Sequence, residues 1–65
     1  MIEKFWEIQR KINKAMEEED ENLIDKLGDE QDEIVKKMTD EEFKIILNEK
    51  LPNEYKAYIK RLRNN

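Results

Sequence analysis

Apolar residues in this chain recur every third or fourth position and nowhere alternate, which restricts the fold to packed helices. At about 100° per residue, Ile2, Phe5, Ile8, Gln9, Ile12 and Met16 share one side of a helix, with Trp6 and Ala15 at its margins. The spacing predicts a first helix over residues 2–18. The acidic run Glu17 to Glu21 opposes the macrodipole at a helix C-terminus and favours it at an N-terminus. A turn near residues 18–20 is therefore expected, in preference to one uninterrupted helix reaching residue 38.

A second helix is expected from residue 20 or 21 to 38, with Leu23, Leu27, Ile34 and Met38 in a tight stripe flanked by Ile24 and Val35. Gln31 falls inside that stripe. Gly28 lies at its edge, costs about 1 kcal/mol relative to Ala in a helix interior, and reads as tolerated in preference to a kink or a close helix approach. Thr39 followed by Asp40, Glu41 and Glu42 forms a capping box that ends this helix and starts a third, whose apolar face is Phe43, Ile46, Leu47 and Leu51. Pro52 disfavours helical geometry at the residue before it, so the third helix should stop at Lys50 or Leu51. Pro52 or Asn53 then opens a last helix with Tyr55, Tyr58, Ile59 and Leu62 on one side. The expected fold is one all-α domain over residues 1–65: a small bundle of three to four helices, a helical hairpin closed by two shorter helices.

The inventory excludes much chemistry. Sixty-five residues bury only about 60% of the unfolded surface, too small a core to enclose a sizeable substrate. Without Cys, His or Ser there are no disulfides, no transition-metal sites and no Ser–His or Cys–His pairs, and Thr39 is already a cap. A single Gly rules out a phosphate loop. The acidic stretches 17–21 and 29–33 lack the EF-hand alternation, so neither a metal site nor a cofactor is expected, and the chain reads as no enzyme. No run of 18 apolar residues exists and the N-terminus lacks the order of a signal peptide, so a cytoplasmic protein without membrane attachment is expected. The dominance of Lys, Glu, Ile and Asn suits an AT-rich bacterial or phage gene, whereas a helix-rich, Gly-poor and Cys-free chain also suits a design.

Charge is segregated. Residues 1–16 sum to +2, residues 17–42 to −10, with thirteen acids against three lysines, and residues 43–65 to +4. Such a field steers a basic partner, or the basic end of another copy, towards the middle segment. Within it Glu21, Asp25, Asp29 and Asp32 follow i, i+4, i+4, i+3 spacing along one helix face, opposite Leu27 and Ile34. Neighbours on such a face stand about 5–6 Å apart, close to the phosphate spacing of a nucleic-acid strand. The plain interpretation is a solvated face. Like charges at this spacing nevertheless destabilise a helix by about 0.2–0.5 kcal/mol per pair, and no basic residue offsets the row before Lys36.

A basic row, Lys56, Lys60 and Arg63 with Arg61 beside it, lies near Tyr55 and Tyr58. The acidic segment repels phosphate, which argues against direct nucleic-acid binding and for a role at the negative end of the last helix, or for pairing with an acidic face in this chain or another. Trp6 and Ile45 are candidate interface anchors if exposed, although a bundle this small needs the large area of Trp6 in its core. The function expected from the sequence is a non-enzymatic protein-binding domain. Its acidic face, Glu21, Asp25, Asp29 and Asp32 supplemented by Trp6 and Ile45, engages a basic protein surface as an inhibitor or nucleic-acid mimic. The alternative is a structural bundle that self-associates as a homo-oligomer and takes no ligand.

Overall fold

The computed structural model describes residues 1–64. Among them the chain is a small all-α bundle of four helices: α1 (Ile2–Glu17), α2 (Glu21–Lys37), α3 (Asp40–Leu47) and α4 (Asn53–Asn64). The one-sided apolar spacing of α1 and α2 is what pairs them. Phe5, Ile8, Ile12 and Ala15 of α1 are buried against Leu27, Ile34, Val35 and Met38, and Ile46 from α3 and Ile59 from α4 complete the core. Gln31 is also buried, its Nε2 donating to Gln9 Oε1 at 2.9 Å across the hairpin. That bond satisfies a polar group placed in the apolar stripe and fixes how α1 slides along α2.

The chain reverses between α1 and α2 at residues 18–20, as the charge pattern predicts. Glu19 adopts φ 56°, the left-handed conformation that usually calls for Gly. Its amide donates to Met16 O at 3.1 Å and the Asp20 amide donates to Ala15 O at 3.0 Å, the two bonds of a Schellman turn. Asp20 then caps α2, its carboxylate accepting from the Leu23 amide at 3.2 Å. At the next corner the capping box forms as expected. Thr39 Oγ1 accepts from the Glu42 amide at 3.1 Å, and Glu42 Oε1 accepts from the Thr39 amide at 3.0 Å. This hydrogen bond from the Thr39 amide is the main cause holding the Glu42 carboxyl below its ordinary pKa.

Three boundaries differ from the sequence reading. α1 ends one residue early, at Glu17, α2 ends one residue early, at Lys37, with Met38 already extended, and α3 ends at Leu47 and not at Lys50 or Leu51. The Asn48 amide still donates to Lys44 O and Ile45 O at 3.2 Å, after which the Leu51 amide donates to Glu49 O at 2.9 Å in a tight turn. Five non-helical residues, 48–52, let the chain double back, so that Leu51 leaves the α3 face and lies half-buried beside Pro52 and Tyr55. The Pro52 carbonyl accepts the first α4 bond, from the Lys56 amide at 3.0 Å.

α4 runs parallel to α2 and is tied to it at two points. Tyr58 Oη donates to Asp32 Oδ2 at 2.6 Å. Further along, Arg63 Nη1 donates to Val35 O at 2.6 Å and Met38 O at 2.9 Å, while Nη2 donates to Asp40 Oδ1 at 2.9 Å. The same guanidinium carbon sits 4.7 Å from the centre of the Phe43 ring. Val35 and Met38 carry carbonyls that the end of α2 leaves without helical partners, so α4 caps α2 from outside it.

Candidate functional site

The hairpin and α4 do not close completely on one another. Between them runs an open groove of about 490 Å³, lined by Ile12 and Met16 from α1, Ile24 and Gly28 from α2, Leu51 and Pro52 from the turn, and Tyr55 and Tyr58 from α4. Gln9 and Gln31 line it too. Asp25, Asp29 and Asp32 border the same groove. Three of the four carboxylates in the acidic row thus flank an apolar channel.

The row is not uniform. Glu21, Asp25 and Asp29 are exposed, whereas Asp32 is half-buried and engaged by Tyr58. Glu21 lies a turn before Asp25 and does not line the groove. Met16, assigned by spacing to the core side of α1, is 56% exposed and contributes to the groove wall. Leu23 at 38% exposure likewise leaves the core and joins a second groove of about 420 Å³ on the other side of the hairpin, among Lys11, Lys14 and Lys26.

Gly28 has neither of the structural reasons that would require glycine. It carries no positive φ, and a Cβ built there meets nothing within 4 Å. A close helix approach at this residue is therefore excluded. The missing side chain widens the groove.

The aromatic wall is ordered by its own contacts. Tyr55 and Tyr58 stack with ring centres 6.1 Å apart and an interplanar angle of 29°, and Tyr55 leans on Phe5 at 6.5 Å. The hydrogen bond to Asp32 raises the Tyr58 pKa, helped by burial and by the nearby charges of Asp32 and Asp29. Burial raises that of Tyr55 further, with Asp32 and Tyr58 adding to it, and the Tyr55 hydroxyl has no hydrogen-bond partner among the described residues.

Trp6 and Ile45 do not join the groove. Trp6 is half-buried and meets Phe5 edge-on at 5.0 Å and 85°, an arrangement that supports the core. Ile45 is 49% exposed on α3 and does not line the groove that Asp25, Asp29 and Asp32 border. Of the basic row, Arg63 is consumed by its bonds to α2, Asp40 and Phe43, so the face imagined for nucleic acid loses one of its cations. Among the described residues no cluster of three or more acidic side chains is placed to hold a metal ion, and no helix is long and apolar enough to cross a membrane. No family model, no curated protein and no solved structure matches the chain.

Proposed function

We infer that this bundle is a non-enzymatic, cytoplasmic protein-binding domain whose groove receives a basic amphipathic segment, a helix with apolar residues on one side and cations on the other. The observation that carries this reading is that Asp25, Asp29 and Asp32 border the apolar channel between the hairpin and α4. An apolar floor provides area to bury, and an acidic border favours an occupant of opposite charge. Gly28 supports it, since glycine in mid-helix with open space above it sacrifices helix stability and gains only room. A groove suits a protruding protein segment better than the flat groove-filling of a nucleic-acid mimic. Where a partner uses that same segment on DNA or RNA, occupancy inhibits it.

The test separates charge from shape. A helix-forming peptide with leucines along one face and cations along the other is titrated into the labelled protein and followed by amide chemical shifts. Asp25→Asn with Asp29→Asn should weaken binding about three- to tenfold, the sum of two exposed ion pairs, and added salt should weaken it further. Gly28→Leu keeps every charge and obstructs the channel, and should abolish the shifts there. Binding indifferent to salt and to both variants refutes the reading. Association of the protein with itself at low salt, blocked by Gly28→Leu, would assign the groove to a second copy.

A further inference from the structure

Resting on that reading, the geometry points to arginine, in preference to lysine, as the cation that the groove selects, with Tyr58 as the platform for its guanidinium and Asp29 and Asp32 as the acceptors at its edge. Tyr58 is 40% exposed and lines the groove, while its ring stacks with that of Tyr55 and its hydroxyl is fixed on Asp32 Oδ2. The platform is therefore set before any ligand arrives. Asp32 uses Oδ2 for Tyr58, and no described residue hydrogen-bonds its Oδ1. Asp29 lines the same groove as Tyr58 and Asp32, so two carboxylates share the channel with this ring.

A planar guanidinium can lie on such a ring and still direct its in-plane N–H groups outward to the carboxylates. An ammonium, a compact and strongly hydrated point charge, cannot match that fork. The molecule already contains one arrangement of this kind. Arg63 lies over Phe43 at 4.7 Å while its edge bonds Val35 O, Met38 O and Asp40. In the groove the ring and the carboxylates are present, and the partner would bring the guanidinium.

The probes are two acetylated and amidated 16-residue helical peptides, identical except that every cation is arginine in one and lysine in the other. The arginine peptide should bind wild-type protein about fivefold more tightly, the scale of one exposed cation–π contact, and its shifts should centre on Gly28, Asp29 and Tyr58. Tyr58→Leu should bring the two affinities together with little change for the lysine peptide. Tyr58→Phe, which keeps the ring and releases the second oxygen of Asp32, should retain the preference, and thermal melts confirm that both variants fold. Equal affinities on wild type, or a preference that survives Tyr58→Leu, overturn the arginine inference and leave the docking reading standing. If neither peptide shifts the groove residues, both fall together.

Discussion

Replacing Arg63 should come close to unfolding the protein, although the residue lies only two positions from the C-terminal Asn65. Its guanidinium makes two hydrogen bonds to carbonyls at the end of α2, at 2.6 and 2.9 Å, from a side chain only 16% exposed. Charge-assisted bonds of this kind are worth about 1.5–3 kcal/mol each when intact, and a cation at a helix C-terminus about 0.3–1 kcal/mol. Stacking on Phe43 adds about 0.5–1 kcal/mol. The bond to Asp40 adds little, because that carboxylate is 92% exposed. These contributions overlap, and water can reach part of the freed carbonyls, so Arg63→Ala should cost about 2–4 kcal/mol. A domain of this size holds only about 3–5 kcal/mol in total.

The measurement is urea unfolding by circular dichroism at 222 nm, with the slope of the transition checked for constancy. Arg63→Lys, which keeps the charge but not the fork, should lose roughly half as much. Arg63→Met keeps the stem packing and separates it from the polar bonds. If Arg63→Ala stays within about 0.5 kcal/mol of wild type, the ordinary range for surface changes, the guanidinium is not seated on α2 in solution and the account of how α4 is held is wrong.

Three further outcomes follow from the same geometry. Glu19→Gly should stabilise the chain by about 0.5–1 kcal/mol, because it relieves a left-handed Glu, and an unchanged midpoint would mean that the turn is not formed as described. Gly28→Ala should stabilise by about 1 kcal/mol, raising the melting temperature by roughly 4–8 °C; a loss would show that the space above Gly28 is filled. Both groove tyrosines have folded-state pKa values raised above the ordinary 10.0, so their contribution is complete below pH 10 and is lost as pH rises through the folded values. Absorbance at 295 nm should therefore show tyrosine ionisation delayed beyond pH 10 and coincident with loss of helicity, and ionisation at pH 10 in a still-folded protein would contradict it.

What the sequence revealed depended on distance along the chain. The helices, the reversal near residue 19 and the Thr39 capping box are set by neighbours a few positions apart, and the capping box forms as read. Gln31 was legible as a polar residue inside an apolar stripe, but its burial on a hydrogen bond to Gln9 was not. The early end of α3 was hidden because Pro52 limits where a helix must stop and does not say where it will; packing Leu51 beside Tyr55 decided that. Glu19 gave no sign of a left-handed backbone, since the only Gly lies elsewhere. The acidic row was visible as spacing, but its bordering of a channel was not. That arrangement comes from α4, whose Tyr58 and Arg63 reach residues 26 and 28 positions away, a pairing that periodicity cannot encode.

The Schellman turn also orders events in time. It brings α1 and α2 together by closing a loop of a few residues, a step of about 10–100 ns for chains of that size, and low-separation contacts of this sort give helical bundles their speed. α4 must instead travel back across the whole of α3 to find Tyr58's and Arg63's partners. The hairpin should therefore form first and α4 should dock last, and α4 should also be the element that opens most readily once the bundle is folded. The channel exists only while α4 is in place. Its release would dissolve the binding surface, so the affinity of this domain is set in part by how often its last helix lets go.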